Sequence, residues 1–363
     1  MKRIYNFSAG PATLPLPVLQ EVQQELLDYQ GSGMSIMEMS HRSQPYEEVL
    51  SKLKMSVRRL LSIPDTHDVL LLQGGASLQF SMVPYNFLVG QSGSAEVVET
   101  GVWVQKAIKE MQRLGKVRIV ASSDTDEYRS IPDVSVSDFD AEAAYAYLCS
   151  NNTIYGTQWK HFPNTGDLPL VADMSSDMMS RPLDISKFSL IFAGAQKNLG
   201  PAGVTLVIIR RDWVEKAAEV PASMLSYQTH IKAGSLYNTP PTFAIYVMQK
   251  CMAWLESEGG IEVIAKRNQD KAMVLYDFID SHPFYTCPVR ETSRSLMNPV
   301  FLLGKGSTEL EKLFVQEAAA VGLSGLKGHR LVGGLRASIY NAFPKEGIDA
   351  LCEFMDAFAK KYA

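Results

Sequence analysis

Seven short apolar runs, most of them separated by enough chain for a helix, constrain this sequence more than anything else in it. They are Asp68–Gln73, Ala95–Glu99, Val117–Val120, Tyr145–Leu148, Leu168–Asp173, Ser189–Gly194 and Val204–Ile209. Short buried runs alternating with helical segments predict a mostly parallel α/β sheet. The last run follows its predecessor too closely for a helical crossover, so it is expected to return antiparallel. Ahead of the sheet, Pro15 and Pro17 open an amphipathic helix through Val18, Leu19, Val22, Leu26 and Leu27 with Gly31 as its stop, and a second helix is expected from Pro45 to Leu61. Beyond it, helices at 241–257 and 261–279 lead to a C-terminal part with strand-like runs at Pro299–Leu303 and Gly334–Ile339 and helices at 307–321 and 347–361. That part reads as a smaller α+β domain, and 363 residues suit two domains of unequal size.

The charge balance, 35 Lys+Arg against 39 Asp+Glu, supplies no electrostatic reason to expect nucleic acid or an anionic membrane as a partner. An anionic small substrate would have to be drawn in by local cations. Cys149, Cys251, Cys287 and Cys352 are too scattered for a zinc site or a redox dithiol, so no metal is expected and a reducing cytoplasm fits. Met1-Lys-Arg is followed by no apolar stretch of the secretory kind, and no run approaches the ~20 apolar residues of a membrane span.

Lys197 is the residue most suggestive of chemistry. It follows the run ending at Gly194, among small residues and ahead of Gly200, Pro201 and Gly203. A lysine in such tight, apolar surroundings is poorly solvated, and desolvation lowers the ammonium pKa toward the range where the free amine attacks carbonyls. Asp173 ends the preceding run. Neighbouring strands that deliver a lysine and an aspartate to one sheet edge suit pyridoxal phosphate (PLP), whose aldehyde the lysine binds and whose ring nitrogen the aspartate keeps protonated.

Other positions fall at the same ends of their strands, where open α/β sheets bind ligands. Gln73-Gly-Gly-Ala-Ser-Leu-Gln79 joins a strand to a helix and suits a phosphate, although two glycines serve any tight turn equally. Trp103 is placed to stack on a planar ring or to fill the core. Thr153 offers a hydroxyl beside the ring or closes an Asn-Asn-Thr turn. Asp173 taken alone also suits a helix cap, and Lys197 taken alone a solvated surface. A nicotinamide enzyme would need G-x-G-x-x-G here, which Gly74-Gly-Ala-Ser77 does not match.

The ordered set Asn6-Phe-Ser-Ala-Gly-Pro-Ala12, Ser40-His-Arg42, Gly74-Gly-Ala-Ser77, Thr100-Gly-Val-Trp103, Asn152-Thr-Ile-Tyr-Gly156, Asp173-Met-Ser-Ser, Gly194-Ala-Gln-Lys-Asn198 and Tyr237-Asn-Thr-Pro240 resembles the phosphoserine aminotransferases over essentially the whole chain. These are class-V enzymes of the fold-type I PLP-dependent transferases. The resemblance implies a large domain at 16–258 with a mostly parallel seven-stranded sheet, and a small α+β domain of 1–15 plus 259–363. It implies that Lys197 binds the PLP aldehyde, Asp173 pairs with the ring nitrogen, Trp103 stacks on the ring and Thr153 bonds near its phenolic oxygen. Ala76, Ser77 and Gln196 would hold the cofactor phosphate, joined by Asn238 and Thr239 from the neighbouring subunit of a homodimer.

Glutamate and phosphoserine carry anionic groups at two ends. Arg336 is expected to grip the α-carboxylate with its planar fork, as its family counterpart does. His41, Arg42, His329 and Arg330 are expected to hold the distal carboxylate or phosphate, with His41, His329 and Arg330 placed by the resemblance across the dimer boundary. Ser77 departs from the arginine common in the family. The implied reaction exchanges an amino group between L-glutamate and 3-phosphooxypyruvate in serine biosynthesis, with 4-phosphohydroxy-L-threonine as a further substrate. An alanine- or serine-linked glyoxylate or pyruvate aminotransferase is the alternative, and the two His-Arg pairs argue against it. A cysteine desulfurase is a poor fit because Cys251 and Cys352 fall in helical patterns and Pro288 restrains Cys287. A non-catalytic relative would have no reason to keep Lys197, Asp173, Trp103 and Arg336 together.

Overall fold

The computed structural model describes residues 3–304 and 307–362; residues 1, 2, 305, 306 and 363 of the expected small domain lie outside them. The seven expected strands form one sheet, ordered His67–Leu72, Thr205–Arg210, Leu190–Gly194, Leu170–Asp173, Tyr145–Cys149, Ala95–Glu99, Val117–Ser122. Thr205–Arg210 runs antiparallel to both of its neighbours, and the other strand pairs in the sheet are parallel. The ten-residue connection from Gly194 to Thr205 is too short to carry the chain back to the start of the sheet, so the strand must return.

Strand alternation divides the core into two layers. Leu170, Ala172, Ile191, Leu206 and Ile208 face one side, packed with Leu53 and Val57 of helix Gln44–Leu60 and Ile245 and Met252 of helix Thr242–Ser257. Val171, Phe192, Val207 and Ile209 face the other, against Phe80 and Val83 of helix Gly75–Phe87 and Val104 and Ile108 of helix Val102–Met111. Covered on both faces, the strands read as continuous apolar runs rather than as alternating ones.

A third core joins helices Gly260–Ser281, Thr308–Ala320 and Lys345–Tyr362 to a three-stranded sheet of Tyr285–Thr286, Val300–Leu303 and Leu335–Arg336. Phe7 belongs to this core, because the Tyr5–Asn6 strand pairs in parallel with Leu323–Ser324. Among the described residues no helix is long and apolar enough to cross a membrane.

Two expectations need correction. The first helix ends at Glu25 rather than near Gly31, and Leu27 is 85 % exposed. Asp28 Oδ1 instead accepts the Gly33 amide at 2.8 Å across a turn in which Gln30 is left-handed. The run 334–339 is a regular strand only at Leu335–Arg336: Ala337 and Ile339 still donate to the carbonyls of Pro299 and Met297 at 2.9 and 2.8 Å, but Pro299 has no N–H to return a bond.

One buried group should make stability depend on pH. His67 is 1 % exposed; its Nε2 lies 2.9 Å from the Phe188 carbonyl, which requires Nε2–H, so Nδ1 accepts from Thr66 Oγ1 at 3.0 Å. Burial lowers its pKa. The folded state then binds fewer protons than the unfolded chain just below the ordinary value of ~6.5, so this contribution is present above that pH and is lost as pH falls through it. Urea midpoints at pH 8 and 5.5 should fall further for the parent than for His67→Gln; equal falls would remove His67 as the cause.

Candidate active site

The sheet register places the central pair of residues. Asp173 lies opposite Cys149 on one neighbouring strand and Phe192 on the other, at the C-terminal end of its own strand. The chain beyond Phe192 leaves the sheet at Gly194 and reaches Lys197 within a tight turn, where Leu199 and Gly200 both donate to the Ala195 carbonyl. The Gln196 carbonyl accepts the Ala12 amide at 2.9 Å, so the N-terminal segment packs against the turn that bears Lys197.

Asp173 is 4 % exposed, and its Oδ1 accepts the Ser175 backbone N–H at 2.9 Å. Burial raises its pKa, while Lys197 and Ser175 oppose the rise. Burial lowers the Lys197 pKa, opposed mainly by Asp173. Each group is thus costly to charge alone and is stabilised by the other. A second cation beside Asp173 would claim the carboxylate and release Lys197 toward its neutral, nucleophilic form.

Trp103 opens helix Val102–Met111, and its indole Nε1–H donates to Thr153 Oγ1 at 3.2 Å. The Lys197 amine stands 5.4 Å from the indole centroid. The Thr153 carbonyl accepts from Arg336 Nη1 at 3.0 Å, and Arg336 Nε is buried without a hydrogen-bond partner. Trp103, Thr153, Asp173, Lys197 and Arg336 are therefore brought together from separate parts of the chain. The orphaned Nε leaves the arginine fork with an unmet demand for an acceptor, which a carboxylate would satisfy.

Ala76 and Ser77 lie in the first turn of helix Gly75–Phe87, which has no side-chain cap and therefore keeps amides free for an anion. Gly74 makes the turn possible: its φ is 85°, and a Cβ there would come within 2.5 Å of Leu78 Cβ. Gln196 precedes Lys197 in its turn. The Thr239 carbonyl accepts from both Gln73 Nε2, at 3.2 Å, and Asn238 Nδ2, at 3.0 Å, so this loop touches the residue preceding the Gly-Gly turn within the same chain.

The distal cations divide. His329 is close enough to Arg336, Arg330 and Lys106 for their charges, with burial as the leading cause, to lower its pKa. His41 and Arg42 lie on the turn into helix Gln44–Leu60, where Arg42 Nε donates to His41 Nε2 at 3.4 Å, and their bonds do not reach the Lys197 cluster.

Sequence reasoning missed Ser175 and Lys106. The Asp-x-Ser spacing was the available signal for Ser175, since aspartate commonly accepts the amide two residues on; Ser175 Oγ also accepts the Gly194 amide at 3.1 Å, tying the two strand ends together. Lys106 lies one helical turn beyond Trp103 with its amine 4.5 Å from the indole centroid, a spacing visible in the sequence but without a reason to single it out.

Residues 4–351 match the family described as aminotransferase class-V. A phosphoserine aminotransferase of Geobacillus kaustophilus (strain HTA426) is 54 % identical, over 100 % of both chains. The solved phosphoserine aminotransferase of Bacillus circulans subsp. alkalophilus superposes with a TM-score of 0.96 at 48 % identity, covering 100 % of each chain. A PLP-bound phosphoserine aminotransferase from Trichomonas vaginalis has a TM-score of 0.92 at 37 % identity, over 98 % of this chain and 100 % of the other.

Proposed function

The chain belongs to the class-V aminotransferases, and from that membership we propose that it is a PLP-dependent enzyme that transfers an amino group reversibly between L-glutamate and 3-phosphooxypyruvate, yielding 2-oxoglutarate and O-phospho-L-serine. The observation carrying this reading is the meeting of Lys197, Asp173, Trp103 and Thr153 beside an arginine with an unfilled donor. The substrate assignment rests on the relatives, which are phosphoserine aminotransferases at about half identity over full length.

The residues fit the cofactor. Asp173 is a buried carboxylate whose raised pKa asks for a cation, and a protonated ring nitrogen is one. The uncapped helix at Ala76 and Ser77 offers amides to the phosphate, with Gln196 beside it and Asn238 and Thr239 from the neighbouring subunit. Trp103 offers a face for the ring, and Thr153 a hydroxyl near its phenolic oxygen. Bound PLP supplies an electrophilic aldehyde and an electron-withdrawing ring that makes the substrate α-proton acidic.

In this reading Arg336 binds the substrate α-carboxylate. His41, Arg42, His329 and Arg330, drawn from the two subunits of a homodimer, hold the distal carboxylate or phosphate. Lys197 would hold the cofactor aldehyde, and its amine, once free, would serve as the acid–base group that takes up and returns the substrate α-proton. Its burial keeps the amine toward the neutral form this requires. The same distal cations accept 4-phosphohydroxy-L-threonine. The domain division at 16–258, with 1–15 and 259–363, and a cytoplasmic location suggested by four free cysteines complete the proposal.

The test is the visible spectrum of the PLP-loaded protein with a single amino acid and no keto acid. O-phospho-L-serine and L-glutamate should each convert the aldehyde-form absorbance to that of the amine form, and L-alanine should not. Equal conversion by alanine would transfer the assignment to an aminotransferase for small uncharged substrates. No cofactor absorbance after PLP is supplied would end the PLP reading.

A further inference from the structure

Three asparagines from distant parts of the chain grip three successive carbonyls. Asn198 Nδ2 donates to Met178 at 2.8 Å, Asn341 Nδ2 to Met179 at 2.8 Å and Asn268 Nδ2 to Ser180 at 3.1 Å. They also hold one another: the Asn341 backbone N–H donates to Asn198 Oδ1 at 2.9 Å, and Asn268 Nδ2 to Asn341 Oδ1 at 2.8 Å. Asn198 is adjacent to Lys197, the gripped segment is the one leaving Asp173, and Asn341 lies five residues beyond Arg336. The centre of the grip is Met179, fully buried with φ of 61°. A bulky residue in the left-handed region is strained and persists only where its surroundings hold it there.

Behind the asparagines stands Lys271, one turn beyond Asn268 on helix Gly260–Ser281. Its buried amine makes three bonds, to the carbonyls of Ile339, Tyr340 and Phe343, at 3.0, 2.7 and 3.1 Å. The 339–343 segment is thereby held from one side by Lys271 and from the other by the Asn198 side chain. A rotation of that segment would move Arg336 and Lys197 together.

We propose that Asn198, Asn268 and Asn341 form a positioning clamp that sets Lys197 against Asp173 and couples both to Arg336. The clamp rests on the catalytic role proposed for Lys197, but its geometry exists without cofactor. Asn268 and Asn341 touch neither substrate nor cofactor in that reading; they act through Asn198 and the segment after Asp173.

The test replaces Asn341 by alanine and first reads the cofactor-free protein. The pH dependence of Lys197 acylation by a small amine-directed reagent, followed by peptide mass spectrometry, reports the amine midpoint. Loosening the turn admits water, and burial, which outweighs the opposing charge of Asp173, is the leading cause of the lowered Lys197 pKa, so the midpoint should rise and leave about tenfold less neutral amine at a given lower pH. In the loaded protein kcat should fall about tenfold through Lys197, and KM for glutamate should rise because Arg336 shifts with the same segment. If Asn341→Ala folds poorly, Asn268→Ala, which keeps the Asn341 bond to Met179, should give a smaller shift of the same sign. An unmoved acylation midpoint in a folded variant overturns the clamp, whatever happens to its melting temperature. Absence of cofactor binding in the parent would refute the proposed function while leaving this readout intact.

Discussion

A Lys197→Ala chain is expected to fold and to retain PLP without a covalent bond, yet to lose at least about 10³-fold in turnover. Its other proposed cofactor contacts, at the helix starting at Gly75, at Trp103 and at Asp173, remain. What disappears is the amine 5.4 Å from the Trp103 ring, the proposed carrier of the substrate α-proton. Folding should tolerate the change because burial already disfavours the ammonium, although Asp173 loses its nearest opposing charge. Borohydride treatment of the loaded parent should leave the cofactor attached to the peptide containing Lys197, and the variant should carry none. Turnover within tenfold of the parent would defeat the assignment of Lys197.

Asp173→Asn should separate function from stability. The folded-state pKa of Asp173 is raised by burial, so between the ordinary carboxyl value of ~3.9 and the raised one the folded chain binds more protons than the unfolded chain. Stability from this group is therefore present at low pH and is lost as pH rises through the raised pKa. Asparagine has nearly the same shape, can still accept the Ser175 amide, and removes the buried charge. Without cofactor, the variant should melt at or above the parent temperature at pH 7.5. Turnover should nonetheless fall by about 10³-fold or more, because the group proposed to keep the ring nitrogen protonated would no longer be an anion. A melting temperature several degrees lower would show that the carboxylate stabilises the chain. A loss under tenfold would show that another group supports the nitrogen.

Much of the site could be read from strand ends. Asp173, Lys197, Thr153 and Trp103 each follow a recognisable apolar run, and an α/β sheet gathers the ends of its parallel strands at one edge. The return of Thr205–Arg210 was legible too, since the connection before it is short. Contacts made by irregular backbone were not. The early end of the first helix goes with an Asp28 side chain that closes a turn, and the short strand at Leu335 with a partner segment in which Pro299 has no N–H to donate. Neither has a period that a sequence pattern would display.

The sequence by itself determined the mostly parallel sheet, the sites of its strand ends and the family, because periodicity, spacing and ordered motifs are local properties of the chain. Only the tertiary structure decided that Arg336 reaches the Thr153 carbonyl with an unfilled Nε, and that Asn198, Asn268 and Asn341 meet on three consecutive carbonyls. It also decided the burial that shifts Asp173 and Lys197 toward their neutral forms, against the opposing effect of each one's charge on the other. Those outcomes depend on distance and desolvation between residues far apart in the chain, and both quantities come into being only when the segments pack.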